Sequence, residues 1–271
     1  MTSTSSSTPR SAEKVRRAAV VLHGKRETIG PALERLHAVA RDADVELVDD
    51  DQPDVAVVLG GDGTMLRALT QYLGTGIPVI GVNFGRVGFL TSIKADELED
   101  GLKRAFAGDM RVFELPTLEA EAAGERLVAV NDVVVHSATL GRMVELAWEV
   151  GGEDFGTLAC DGVVCTTPSG STAYNLSNGG PVLAWGLDAM AITFIAPHSL
   201  RVRPLVVGRS AEVVISNRTP DVGATVLVDG HEKTELAVDE SVHVRLGEQR
   251  SLLATLPESA FFRRYREIFA A

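Results

Sequence analysis

The stretch Val55–Arg67, VAVVLGGDGTMLR, decides the fold. Val55 to Leu59 form an apolar run without alternation, so the strand they predict is buried on both faces. Gly60, Gly61 and Gly63 then break the pattern around Asp62, and helix-forming residues resume after Thr64. Glycines let backbone N–H groups come close to a bound anion, and a helix starting near Thr64 points its positive end at the same place. The turn is neither a P-loop, which needs a lysine, nor a dinucleotide G-x-G-x-x-G. Asp62 within it is either a helix N-cap in an ordinary turn or an acid set beside a phosphate site. An acid in the second position repels phosphate unless it meets a hydroxyl proton or a metal.

Working outward, Arg16 to about Ala107 alternates strand and helix. Strands are predicted over 18–24 (AAVVLHG), 44–49 (DVELVD), 54–60 and 77–85 (IPVIGVNFG), with helices over 28–43, about 64–73 and 95–106. Continuous apolar strands between amphipathic helices predict an α/β domain with a parallel sheet, whose ligands bind beyond the carboxyl ends of the strands. Both glycine turns, GGDGT (60–64) and NFGRVGF (83–89), fall at that edge. After about Met110 the chain reads as short strands joined by glycine turns, a β-rich, β-sandwich-like domain interrupted by one helical insert near 169–180. The predicted divisions are a disordered tail over 1–14, the α/β domain over 15–110, the β-rich domain over 111–256 and a C-terminal helix over 257–271. That helix is amphipathic, and Phe261, Phe262, Tyr265 and Phe269 require a surface to cover, which predicts that it packs back on the first domain.

With 271 residues, 45% of them hydrophobic, and a mean hydropathy of +0.11, the chain can bury a sizeable core. No apolar run approaches the roughly 20 residues that span a bilayer, and no signal-peptide h-region opens the chain. A net charge of −11 argues against nucleic acid or an anionic membrane as partner, because both select basic surfaces. Cys160 and Cys165 in CDGVVC match no common metal spacing and predict buried, reduced thiols in a cytoplasmic protein.

A second dense region is DGVVCTTPSGSTAYNLSNGGPVL (161–183). A strand runs to Pro168, and Ser-Gly-Ser-Thr then opens a short helix with hydroxyls and free N–H groups at its start. Tyr174 is either a stacking surface for a base or a core aromatic. Asn131–Asp132, Arg142 and His231 read equally well as turn residues when each is taken alone.

In identity and order, GGDGT, then Asn83–Thr91 as NxGxxGFLT, then Asn131–Asp132, then DGVVCTTPSGSTAYNLS (161–177) resemble the NAD kinase family, over about Arg16 to Tyr265. GGDGT by itself is shared with diacylglycerol, sphingosine and 6-phosphofructokinase relatives and indicates only phosphoryl transfer; the TPSGSTAYNLS block is the specific part. The resemblance implies that Asp62 accepts the proton of the adenosine ribose 2′-hydroxyl of NAD as it attacks a terminal phosphoryl group. It implies a phosphate cradle of Gly60, Gly61, Gly63 and Thr64, with Arg67 reaching the same anions. Asn131, Asp132 and Asp161 would hold the ribose or carboxamide groups of NAD. Thr172, Ala173, Tyr174, Asn175, Leu176 and Ser177 would line the nucleotide pocket, and His231 would add a nucleotide contact. Arg142 would meet a substrate phosphate, in the same subunit or a neighbouring one. Mg²⁺ or another divalent ion, ATP or inorganic polyphosphate as donor, an active site between the two domains, and a homodimer or homotetramer are implied likewise; no metal ligand is assignable. The family often has Glu where Asp132 stands and Thr where Ser169 stands. Two other classes compete. A lipid or sugar kinase shares the glycine–aspartate turn but has no need of the tyrosine-containing block, and a non-catalytic dinucleotide sensor has no use for Asp62.

Overall fold

The computed structural model describes residues 9–22, 26–49, 52–85 and 88–270. Predictions that fall on residues 1–8, on His23 and Gly24, and on Arg86 and Val87 lie outside the described residues. The chain divides into two compact units, one of Met1–Leu115 with Arg250–Ala271 and one of Pro116–Gln249. The divisions expected after residues 110 and 256 thus fall after residues 115 and 249.

The first unit contains β1 (Arg10–Ser11), β2 (Arg17–Leu22), α1 (Arg26–Asp42), β3 (Glu46–Val48), β4 (Val55–Leu59), α2 (Asp62–Gln71), β5 (Val79–Asn83), β6 (Ile93–Lys94) and α3 (Leu98–Phe106). Its parallel sheet runs in the order β3-β2-β4-β5, with Val57 opposite Val20 on one side and Ile80 on the other. All five residues of β4 are fully buried, as the unbroken apolar run requires of a central parallel strand. Leu36, Leu59, Ile80, Leu98, Leu102 and Phe106 fill the core between sheet and helices, each stabilising the fold by about 1.5–3 kcal/mol. Gly81 of β5 lets α2 lie close on the sheet, since a Cβ there would overlap Met65 Sδ.

Three local differences from the sequence expectation stand out. The tail expected to be disordered to residue 14 is tied down from Arg10, which pairs with Val112 while Val15 N–H donates to Phe106 O at 2.9 Å. The strand expected over 44–49 shrinks to Glu46–Val48, because Asp44 takes a left-handed φ of 58° that ends the preceding turn. The helix expected from Ala95 begins at Leu98, after a 3₁₀ turn over Ala95–Glu97.

The second unit is antiparallel. From β7 (Arg111–Ala122), which starts in the first unit, it continues through β8 (Glu125–Ala129), β9 (Asp132–Ser137), β10 (Val144–Val150), β11 (Glu153–Cys160), β12 (Gly162–Thr166), α4 (Tyr174–Ser177), β13 (Ala189–Ile195), β14 (Leu205–Gly208), β15 (Val213–Asn217), β16 (Ala224–Val228), β17 (His231–Leu236) and β18 (Ser241–Thr255). One sheet is ordered β14-β13-β12-β9-β16-β17; a second row runs β11-β10-β15-β18. Val133, Val135, Val163 and Cys165, at period two on β9 and β12, share a core with Leu146, Trp148, Ile215 and Val244 of the second row. Trp148 meets Phe194 edge-on at 5.2 Å and Phe155 at 4.5 Å.

The chain re-enters the first unit at Arg250, where Leu253 of β18 pairs in parallel with Val79. It ends in α5 (Phe261–Phe269), which places Phe261 and Phe269 at 6.1 and 5.6 Å from Phe89. Phe262, expected on the covering face, is 74% exposed; it neighbours Phe261 in sequence and so points about 100° away around the helix. No helix among the described residues is long and apolar enough to cross a membrane.

Candidate active site

In the first unit the site is built on the carboxyl ends of β4 and β5. Gly60 N–H continues the sheet ladder to Val82 O at 3.0 Å, and a Cβ on Gly60 would overlap Thr64, whose buried side chain supports the turn. Gly61 is the N-cap of α2, with φ −99° and ψ −169° and no side-chain cap bond. The helix therefore starts at Asp62, two residues before the expected Thr64, and Asp62 is not its N-cap. A Cβ on Gly61 or Gly63 would meet nothing within 4 Å, so the backbone there is open to a ligand. As the first residues of α2, Asp62 and Gly63 have no intrahelical acceptor for their N–H groups. Of the predicted cradle of Gly60, Gly61, Gly63 and Thr64, the Gly60 and Thr64 N–H groups are spent on Val82 O and on Gly61 O at 2.9 Å, which leaves the backbone around Gly61–Gly63 at the positive end of the helix as the part that could meet an anion.

Asp62 itself is half-buried, and its carboxylate is oriented from the second glycine turn. Phe89 N–H donates to Oδ2 at 2.7 Å and Leu90 N–H to Oδ1 at 3.1 Å. Gly88 must be glycine here, because a Cβ would overlap Asp62 Oδ1. A carboxylate offers about four lone-pair sites, so each oxygen keeps one after these two bonds. Arg67 is exposed one turn further along α2.

In the second unit, Asn131 immediately precedes β9 and Asp132 opens it; they are 8% and 6% exposed. Their backbone is held from both sides. Asp229 accepts N–H bonds from Val130 (2.9 Å), Asn131 (2.7 Å) and Asp132 (3.1 Å), while its own N–H donates to Asp132 O at 3.0 Å. Thr167 Oγ1 and Ser169 Oγ donate to Val130 O at 2.7 and 3.0 Å, and Thr166 Oγ1 donates to Asn131 O at 3.1 Å. Gly170 leaves room for that carbonyl. This backbone saturation frees the side chains, and Asn131 Oδ1 is a buried acceptor with no partner among the described residues. Such an orphan is what a ligand donor would satisfy. Burial, and then the charge of Asp229, push the Asp132 carboxyl up to about 7. Burial also raises Asp229, against the pull of its three N–H donors.

The insert after Pro168 divides its predicted residues into two sets. Tyr174 is 46% exposed, Ala173 and Ser177 are exposed, and Thr172 and Leu176 are half-buried. Asn175 is fully buried and its amide is spent internally: Nδ2 donates to Ser171 O and Pro181 O, both at 3.0 Å, and Oδ1 accepts from Thr193 Oγ1 at 2.7 Å. Asn175 thus braces the insert rather than offering its side chain.

His231 follows the Asp229 turn, exposed, with Nδ1 at 3.0 Å from Asp229 O. Strand register gathers Asn131, Asp132, the 167–172 turn and the Asp229–His231 turn at one end of the six-stranded sheet, since Asp132 pairs with Thr166 and Val133 with Val228. Asp161 and Arg142 are not in that group. Ser137 N–H donates to Asp161 O, and Gly162 pairs with His136, which puts Asp161 at the far end of β12, roughly 15 Å away at about 3.3 Å per residue. Arg142 there donates to Asp221 Oδ2 at 2.8 Å, both groups being exposed, and holds the Asp221 carboxyl below its ordinary range. Cys160 and Cys165 are buried, unpaired thiols pushed up to about 12 by burial, which makes them unreactive. No group of three or more His, Cys, Asp or Glu among the described residues is placed to hold a metal ion.

Single-sequence reasoning missed Asp229, the Gly88–Leu90 backbone and Arg264. Only the DG turn at 229–230 and the GF pair at 88–89 were visible, and neither announces a backbone clamp.

The model of the ATP-NAD kinase N-terminal domain matches residues 5–110, and that of the ATP-NAD kinase C-terminal domain matches residues 130–256. The NAD kinase of Heliobacterium modesticaldum is 38% identical over 265 residues, spanning 96% of this chain and 94% of that one. The NAD kinase of Gemmatimonas aurantiaca is 38% identical over 226 residues, 81% of this chain and 78% of its own. Among solved structures, an NAD kinase from Archaeoglobus fulgidus in complex with ATP superimposes with a TM-score of 0.76 at 28% identity, covering 94% of this chain and 97% of that one. Yeast NADH kinase complexed with NADH gives 0.80 at 22% identity over 98% and 94% of the two chains, a likeness of fold. Two domain models in the right order, with one relative matched nearly end to end, leave one conclusion: this chain belongs to the NAD kinase family.

Proposed function

We propose that this chain carries out the ATP-dependent phosphorylation of NAD for which its family is named, at the 2′-hydroxyl of the adenosine ribose, with Asp62 as general base. The observation that supports this most is the Asp62 carboxylate itself, fixed by two backbone N–H groups yet bordered by open glycine backbone. Phosphate belongs at the N–H groups of that turn. An acid is compatible with phosphate there when it binds a hydroxyl proton. In the step, Asp62 takes the proton of the 2′-hydroxyl as that oxygen bonds to the γ-phosphorus of ATP. The bond from the γ-phosphorus to the β,γ-bridging oxygen breaks, and ADP leaves. The first unit would supply base and cradle. Of the second unit, Asn131 and Asp132 would hold NAD, Tyr174 would stack on a base, and Thr172 and His231 would add contacts.

Mg²⁺ neutralises charge on the donor phosphates when bound, and it commonly takes one or two protein carboxylates plus phosphate oxygens. Inorganic polyphosphate presents the same terminal phosphoryl group and is a second donor to test. Asp161 and Arg142, at the far end of β12, would serve a neighbouring copy in a homodimer or homotetramer, and the cytoplasm would be the site of action.

The test is incubation of purified protein with NAD, Mg²⁺ and either ATP or polyphosphate, with NADP detected by a coupled dehydrogenase. Asp62→Asn should bind NAD as the wild type does and lose about 10³-fold in kcat, within the range for a lost general base. Turnover within a few-fold of wild type would remove Asp62 from that role, and NAD binding without NADP from either donor would favour a sensor.

A further inference from the structure

Arg264 lies on α5 and is 5% exposed. A buried guanidinium is costly unless its donors are met. Here they meet main-chain carbonyls: Nη1 donates to Gly88 O at 2.8 Å and Nε to Ser259 O at 3.2 Å. Among the described residues it forms no ion pair. Burial draws its pKa down to about 10, against the attraction of Asp62 and Glu267.

The carbonyl of Gly88 and the N–H of Phe89 belong to one planar trans peptide unit, so they point in opposite directions. Arg264 grips one end of that unit, and Asp62 Oδ2 accepts from the other at 2.7 Å. Turning the peptide plane would break both bonds together. Donation into the carbonyl also polarises the unit and strengthens its N–H as a donor. The Phe89 ring, against Phe261 and Phe269, anchors the following residue to the same helix, and Leu90 N–H completes the hold on Asp62. Ring packing fixes where Phe89 sits but leaves rotation of the peptide plane before it to be set by Arg264.

We propose that Arg264 is a positioning residue for phosphoryl transfer, acting through the Gly88–Phe89 peptide unit to aim the Asp62 carboxylate. This rests on Asp62 being the base, and the test separates the two. Arg264→Met keeps an unbranched apolar stem and removes the fork. In the folded full-length protein it should lower kcat about 10- to 100-fold while the KM values for NAD and ATP stay within about threefold, the signature of an interaction needed only at the transition state. In an Asp62→Asn background the same change should lower kcat by less than about twofold more, because the group through which Arg264 works is gone.

If Arg264→Met does not fold, Arg264→Lys enters the same cycle. Its ammonium keeps the charge but cannot span both carbonyls, and the same non-additive loss is expected. Unchanged kcat in a folded variant overturns the proposal. So does a loss of equal size in the Asp62→Asn background, or an equal change in kcat and KM that follows thermal stability, and each leaves the base assignment standing. Full turnover by Asp62→Asn alone removes the base assignment and the proposal with it.

Discussion

Asp62 in the first unit and Asp229 in the second are both ringed by backbone N–H groups, two around one and three around the other, and they are put to opposite uses. Asp229 takes N–H bonds from three consecutive residues, and its own N–H returns to Asp132 O, so its side chain is consumed in shaping the 130–132 turn. Asp62 takes one N–H on each oxygen and faces a turn whose glycines leave space around them. Similar hydrogen bonds thus make one carboxylate a structural tie and leave the other beside open backbone, where the proposed chemistry needs it. What separates them is the surrounding backbone, open at Gly61 and Gly63 and closed at Val130–Asp132.

The largest effect that this contrast predicts is on Asp62. Asp62→Asn keeps an acceptor for one of Phe89 and Leu90 and turns an NH2 group toward the other, so stability should fall by about 1–3 kcal/mol while kcat falls about 10³-fold. A variant that lost stability as severely as turnover would make Asp62 a tie like Asp229 and erase the contrast.

Next in size is Asp229→Ala, with the opposite pattern. Three N–H groups lose their acceptor, at about 1–3 kcal/mol for each one left buried and unsatisfied, so the midpoint in urea should drop by the equivalent of about 3 kcal/mol or more. In protein kept folded at low temperature, KM for NAD should rise at least tenfold because Asn131 and Asp132 are no longer aimed, with ATP affinity nearly unchanged. Equal loss of affinity for both substrates would show that Asp229 maintains the fold alone.

The parts legible in the sequence were those written in local pattern. The unbroken apolar run at Val55–Leu59 specified a buried parallel strand, short strands joined by glycine turns after Met110 specified a β-rich domain, and GGDGT marked the turn. What stayed hidden was set by contacts distant in sequence. Nothing near Asp229 says that its carboxylate will collect N–H groups some 98 residues away, nor that Arg264 will reach Gly88 across 176. Asn175 shows the reverse problem: a residue inside the most diagnostic block turns out to brace the insert, because Ser171, Pro181 and Thr193 claim its whole amide. The helix α2 began two residues early because Gly61 caps it without a side chain, which propensity alone does not favour over Asp62.

The smallest and most diagnostic prediction concerns Asp132, which shares its turn with Asp229. Its carboxyl is raised from 3.8 to about 7 in the folded protein, so the native state holds a proton that the unfolded state releases between those values. The group's contribution is fully present below about 3.8 and is lost as pH rises through 7, which makes the wild type lose stability across that window. Asp132→Asn keeps the shape and cannot ionise. Its Tm relative to wild type should therefore be higher by several degrees at pH 8 than at pH 5. Asp229→Asn should reduce the same slope partially, because burial is the larger cause of the shift and the charge of Asp229 the smaller. Parallel Tm curves for wild type and Asp132→Asn would mean that Asp132 is ionised in the native state. The turn would then hold two charged carboxylates side by side, and Asp229 would need a compensating cation beyond its three N–H donors.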